Sequence, residues 1–391
     1  MPEPLPPVPR RLAWLHFWND FTLDFVTPLL PLGVSAVWIG VMEGLADGLG
    51  QALRLVTGRA SDRSGRRVPW VVAGYSANAL MRPLAGIGML LAWPWWIVLC
   101  RVGDRVGKGL RGSASDALLT DWVEPASRPW AFGLMRTYDH LGATAGALTA
   151  AATAWWVGEH LGYDLGWAVL ALVVPMVAML ALCAGLRERP GAVAAGSAPA
   201  GWWPQHPGVR VPLGLIAVAS LGAKLGPLLI LVQVSGWADG QDGWRAWQMC
   251  LAWAALGLAQ TLVAAGSAWG AQRLGAQRFL ALGWALGAAV FAGLALAPSA
   301  WLAWFGLAWG VVAGLTEGAE KAWIADLAGP GERATTFGAL GLVGAGAALI
   351  GSSACGLGLV WIGAPVFLLP AAAMAFGTIG VSLHPRSPAH A

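Results

Sequence analysis

Charge is scarce in this chain. Asp, Glu, Lys and Arg make up 11% of its 391 residues, against about 25% in an average soluble domain, so an ordinary water-facing surface is excluded. Lysine is scarcer still: Lys108, Lys224 and Lys321 are three among 24 basic residues. The four cysteines, Cys100, Cys183, Cys250 and Cys355, lie singly inside apolar runs. That placement excludes a disulfide scaffold and a thiolate metal site, and it predicts buried, unpaired thiols. There is no Ser, Cys or His constellation, no phosphate-binding glycine loop and no metal-ligand cluster, so neither an enzyme site nor a cofactor is expected. The net charge of +4 is small and its basic residues are scattered through short loops, which argues against a nucleic-acid partner.

Apolar residues fill 57% of the chain, accompanied by 25 tryptophans and 54 glycines. Membrane interfaces favour Trp, and closely packed membrane helices favour Gly. A helix needs about 20 apolar residues to cross a core about 30 Å thick, so this length accommodates roughly a dozen crossings in a lipid bilayer. Twelve are expected, at 12–33, 36–57, 69–91, 94–115, 131–156, 165–186, 212–234, 244–266, 277–297, 300–325, 334–357 and 360–382. Segments 36–57 and 94–115 are weak by hydropathy because they carry charges. The start, PEPLPPVPRR, reads as a short tail rather than a cleavable signal. The longest polar break, 187–211, is rich in Gly, Pro, Ala and Ser and reads as a cytoplasmic linker between a half at 1–186 and a half at 212–391.

Loop charge sets the orientation, because short cytoplasmic loops accumulate Lys and Arg. Arg59, Arg63, Arg66, Arg67, Arg187, Arg189, Arg273 and Arg278 fall in one set of alternate loops, and the other set offers essentially Arg245. Both termini are therefore expected in the cytoplasm and the protein in the cytoplasmic (inner) membrane. The chain also repeats itself. DALLTDWVEPASRPWAFG from Asp116 aligns without gaps to KAWIADLAGPGERATTFG from Lys321, with Asp121, Pro125 and Gly133 recurring as Asp326, Pro330 and Gly338 at a constant shift of 205 residues. Six crossings plus the linker separate the copies, which predicts two parallel, pseudo-symmetric six-helix halves. The fold class is thus all-α integral membrane, with twelve transmembrane helices.

The loop from Gly58 to Arg67 reads GRASDRSGRR, and this G-x-x-x-D-R-x-G-R-R pattern resembles the signature of the major facilitator superfamily (MFS). The resemblance covers nearly the whole chain. Four further elements resemble one bacterial branch: N-D-x-x-x-D-x-x-x-P-L-L-P from Asn19, EGLAD from Glu43, DRVGKGLR from Asp104 and TEGAEKA from Thr316. Where that branch carries Pro-Arg-Asp-Ala-Leu, this chain has Ala114-Ser115-Asp116-Ala117-Leu118, and Gly146 is followed by Ala147 rather than proline. The resemblance implies secondary transport by alternating access. For Gly58, Asp62, Arg63, Gly65, Arg66 and Arg67 it implies a gating loop, in which Asp62 caps a helix N-terminus and pairs with arginines. It also connects Arg105, four residues before Gly109, with proton coupling.

Ionisable side chains inside a bilayer are costly and normally face a cavity or each other. They form the candidate proton and substrate pathway. His16, Asp20 and Asp24 share one face of the first span; Glu43 and Asp47 share one face of the second. The hairpin between these spans puts Asp24 and Asp47 at similar depth, roughly 17 Å of helix from the turn, where desolvation and mutual repulsion favour a shared proton. The fourth span carries Arg101, Asp104, Arg105 and Lys108 on overlapping stripes, with Lys108, Arg111 and Asp116 also readable as a solvated inner end. Asp104 with Arg136 of span five, or Arg105 with Asp139, is the expected interhelical ion pair, since an unpartnered buried charge is expensive. Arg82, Lys224, Glu317 and Lys321 complete the set, and the scarcity of lysine suggests a use for the compact ammonium of Lys224.

The expected function is transport of a small polar or charged solute with protons as coupling ion, efflux favoured over uptake, by a monomer. A non-transporting receptor or scaffold on the same fold is the alternative. A membrane-embedded transferase is disfavoured because the carboxylates lie inside spans rather than in a loop at the headgroups.

Overall fold

Prolines and left-handed glycines set the helix ends. Pro7, Pro94 and Pro227 stand at helix starts, where a missing N–H costs nothing. Gly65 (φ 64°) turns the chain between the second and third helices, and Gly275 (φ 81°) does the same between the tenth and eleventh; a side chain at either would be strained in that conformation. The computed structural model describes residues 6–124, 128–190, 207–236, 244–327 and 333–385. Of the expected site residues, the side chains of Asp62, Arg63 and Glu317 lie outside the described residues, as does the linker from 191 to 206.

Every regular element among the described residues is helical. In order they are α1 (Pro7–Val26), α2 (Ala36–Ser64), α3 (Val68–Leu90), α4 (Pro94–Trp122), α5 (Arg128–Thr153), α6 (Leu165–Leu170), α7 (Val173–Cys183), α8 (Arg210–Ala223), α9 (Pro227–Val234), α10 (Ala246–Leu274), α11 (Ala276–Leu296), α12 (Ser299–Leu327), α13 (Arg333–Trp361) and α14 (Leu368–Leu383). A 3-10 turn, Thr27–Leu32, prolongs α1, and a π-helical turn, Ala154–His160, prolongs α5. Seven helical segments among the described residues are long and apolar enough to cross a membrane, and they run from Leu165–Cys183 to Ala364–Leu383. The helices outside that group, α1 to α5, are those carrying Asp20, Asp24, Glu43, Arg82, Asp104 and Asp139.

Helix contacts gather the chain into two units. The first comprises Met1–Val34, Leu49–Ala198 and Arg245–Ala254. In it α1 lies along α5, and α3 along α4. Glycine permits this closeness: a Cβ on Gly142 or Gly146 would collide with the backbone of Phe17 or Phe21, and one on Gly107 would lie 2.7 Å from the carbonyl oxygen of Gly74. A buried cluster including Leu12, Leu15, Val71, Tyr75, Leu118 and Met179 fills the space between these helices.

The second unit comprises Ser35–Gly48, Pro199–Trp244 and Ala255–Ala391. Here α11 packs on α12 and α14, and α8 on α13 and α14. Gly222 of α8 abuts Pro370 and Met374, and Gly40 of α2 meets Gly356 of α13. Large apolar side chains stand exposed on both units, among them Trp167, Val174, Leu262, Trp304 and Trp361. Such an array is a liability in water and is the expected outer surface in lipid. All four cysteines are buried and unpaired.

Candidate functional site

The charged residues of the first unit converge on Asp104. This carboxylate, 3% exposed on α4, accepts hydrogen bonds at Oδ1 from Arg82 Nε of α3 at 2.7 Å and from Asn78 Nδ2 at 2.6 Å. Asn78 Nδ2 also reaches the Asp104 carbonyl at 2.7 Å. On its other side Arg82 Nη1 donates to the Asn19 carbonyl and to Thr22 Oγ1, at 2.7 Å for the latter, both on α1. A single guanidinium therefore ties three helices together, its planar fork meeting acceptors on two sides. Arg101 extends the cluster, donating to Thr27 Oγ1 at 3.2 Å. A cavity of about 10 Å³ lined by Arg82, Arg101, Asp104, Met81 and Cys100 has room for roughly one water.

Asp104 was expected to pair with Arg136, or Arg105 with Asp139; the structure gives Asp104 to Arg82 and Asp139 to His16. Arg136 is exposed and sits 3.7 Å from Asp139, one turn along its own helix, because three-residue spacing on a helix makes neighbours of them. Asp139 Oδ1 lies 2.7 Å from His16 Nδ1 on α1. His16 Nε2 in turn is 3.5 Å from Ser115 Oγ. Arg111, one of three residues readable as solvated, is 7% exposed. It donates to Asn78 Oδ1 at 3.2 Å and lies 4.6 Å above the Tyr75 ring, a cation–π arrangement suited to a desolvated guanidinium. Lys108 is exposed and Arg105 half-buried. Asp116 is half-exposed and pairs with Arg54 at 2.6 Å.

On α1, Asp20 accepts from Asn19 Nδ2 at 2.6 Å, and Asp24 accepts at 2.7 Å from the indole Nε1 of Trp253. Asp24 belongs to the first unit and Asp47 to the second; Asp47 is half-buried. At the turn between α2 and α3, Arg67 Nη1 donates to Ser61 Oγ at 3.1 Å, and its Nε stands 3.6 Å from Asp121 Oδ2. Arg66 is exposed, and its carbonyl accepts from Ser61 at 3.2 Å. The first N–H groups of α3, those of Arg67 and Val68, both donate to Glu188 Oε1 at 2.7 Å. This fills the place of a helix cap with a charged acceptor.

In the second unit, Lys224 Nζ lies 3.2 Å from Glu320 Oε2, and Glu43 is buried at 2% exposure. Lys321 is exposed. Sequence reasoning missed Asn78, Thr22, Trp253 and Glu188. Asn78 stands four residues before Arg82 in an apolar span, a polar pair at helical spacing that was there to be read. For Trp253 and Glu188 no local signal existed, since their partners lie 229 and 120 residues away.

Charges buried among apolar helices, as in the described residues, are the arrangement by which membrane transporters line a pathway for solutes and ions. The comparisons agree. A profile described as Major Facilitator Superfamily matches residues 12–352, and the chain belongs to that family. It is 29% identical over 345 residues to the uncharacterized protein Rv2265 of Mycobacterium tuberculosis, across 84% of this chain and 79% of the relative. It is 31% identical over 180 residues to the multidrug resistance protein MdtH of Cronobacter sakazakii, across 46% of this chain and 40% of that one. Among solved structures, a bacterial homologue of the human lysosomal transporter Spinster superposes with a TM-score of 0.65 at 20% identity, covering 97% of this chain and 98% of the other. A mutant form of the nucleoside transporter NupG does so with a TM-score of 0.71 at 15% identity, covering 96% and 99%. These structural likenesses establish a shared fold.

Proposed function

We propose that this chain is a proton-coupled secondary transporter that exports a small polar or charged solute across the cytoplasmic membrane by alternating access. On this reading twelve crossings form two six-helix halves, 1–186 and 212–391, with both termini and the 187–211 linker in the cytoplasm. The Gly58–Arg67 segment, which is the end of α2 and the turn after it, is the inner gate, with Asp62, Arg63 and Gly65 part of it. The observation that carries the proposal is the setting of Asp24. Asp104 and Asp139 are tied to a guanidinium and an imidazole, whereas the hydrogen-bond donor to Asp24 is the neutral indole of Trp253, 2.7 Å away. A neutral donor tolerates both forms of the acid, so this carboxylate can take up and release a proton without breaking an ion pair. The multidrug resistance relative supports the outward direction, and the reading as a receptor or scaffold has no observation in its favour.

Flux into proteoliposomes under an imposed pH gradient tests it. Asp24→Asn keeps an acceptor for Trp253 but removes the titratable group. Gradient-driven accumulation should then fall at least tenfold while counterflow exchange persists. Equal accumulation by variant and wild type would refute coupling through Asp24.

A further inference from the structure

The helix that starts at Arg210 does not run through. Pro227 has no N–H to donate and forces Gly226 into extended backbone (ψ 121°), so α8 ends at Ala223 and α9 begins at Pro227. The N–H of Gly226 is taken up by Ser352 Oγ of α13 at 3.0 Å. Two helix ends of opposite polarity thus meet in the middle of an apolar segment. Lys224 caps the carbonyl end of α8, where a cation is favoured. At the amide end of α9 the stem of Glu43 packs so closely that its Cβ is 2.9 Å from where a Gly226 Cβ would be. Interrupted hydrophobic helices of this kind supply solute-binding surfaces in transporters.

The partners in the Lys224–Glu320 pair are unequal. The Lys224 side chain is 35% exposed and that of Glu320 5%. The Lys224 side chain is partly open and that of Glu320 closed, so an incoming group meets Lys224 first. A cation is repelled there; an anion is drawn in and can exchange with Glu320. The Lys224 Cε rests over Gly344 of α13, at 3.8 Å from the place of a Cβ, so the stem is supported while the head stays accessible. An ammonium with three rotatable donors suits such an exchange better than a planar guanidinium, and this chain spends lysine at three positions against 21 arginines.

We propose that Lys224 recognises a carboxylate on the transported solute, with Glu320 as the internal carboxylate that the solute's group replaces. The inference rests on the transport reading above and names the substrate class for it. Because Glu320 competes for the same ammonium, removing its charge should strengthen binding of an external carboxylate.

With three lysines in the chain, reductive ¹³C-methylation of the purified full-length protein places one labelled dimethylammonium, still cationic, on each, and Lys→Arg variants assign the signals. Acetate is the probe and acetamide its uncharged control. Acetate should shift the Lys224 signal saturably, acetamide should not, and Glu320→Gln should tighten the acetate response at least fivefold. A Lys224 response no larger than those of the exposed Lys108 and Lys321 overturns the proposal, and this comparison is made within the wild-type protein once Lys108→Arg and Lys321→Arg have assigned the signals. An acetate affinity unchanged in Glu320→Gln overturns it as well. Proteoliposome flux separates the two readings: flux with a silent Lys224 refutes the carboxylate assignment alone, and a responsive Lys224 without flux refutes the transport reading.

Discussion

Arg82–Asp104 and Lys224–Glu320 are both ion pairs set in apolar surroundings, yet they are built differently. Arg82 and Asp104 are 3% and 4% exposed at the side chain, and Asn78, Thr22 and the Asn19 carbonyl each add a hydrogen bond to the pair. Lys224 and Glu320 sit beside a break in a helix, with the Lys224 side chain 35% exposed and that of Glu320 5%. The first pair is a joint between α1, α3 and α4. The second is open on the side of Lys224 alone, while Glu320 stays enclosed. Burial and partner count, rather than the presence of opposite charges, decide which pair is structural and which is exchangeable.

The largest effect should come from breaking the first pair. Arg82→Met strands a buried carboxylate and should cost about 3–5 kcal/mol of stability, read as a lowered unfolding midpoint in detergent. The double variant Arg82→Met, Asp104→Leu should recover much of that loss, because neither charge is then left alone. A double variant as unstable as the sum of the singles would show that the pair is not the joint described. A smaller effect, about 1 kcal/mol, is expected for Glu188→Ala, which removes the acceptor for two N–H groups at the start of α3. Hydrogen exchange in the first turn of α3 should rise with it, and unchanged protection there would remove Glu188 from the cap. The smallest loss, under about 1 kcal/mol, should follow the double variant Lys224→Met, Glu320→Gln, because the pair it removes is partly exposed and no buried charge is left behind. A loss as large as that of Arg82→Met would erase the contrast between the pairs.

Much of this was legible before any coordinates. The membrane class, the all-helical fold and the family follow from apolar runs, glycine usage and the GRASDRSGRR turn, whose Gly65 adopts the left-handed backbone that a turn between two long helices demands. Arg82, Asp104, Asp139 and Lys224 were recognisable as candidates because charges in apolar spans are conspicuous. Their partners were not. Arg136 was offered as a partner for Asp104 because a buried charge needs one, and Arg82 of α3, on the other side of α4 in chain order, takes that place instead. Arg111 was readable as solvated from its position near a helix end, yet Tyr75 and Asn78 of α3 bury it.

The sequence by itself determined which segments are helical and apolar and which side chains are too polar for their surroundings, because periodicity and transfer cost are local properties; the breaks within 165–186 and 212–234, each expected as one span, came from the structure. Only the tertiary structure decided who meets whom. Asp24 finds Trp253, α3 finds Glu188 and Lys224 finds Glu320 across 229, 120 and 96 residues of chain. At such separations, helix packing alone brings a donor within hydrogen-bonding distance of an acceptor, and that packing is set by where glycines let backbones touch.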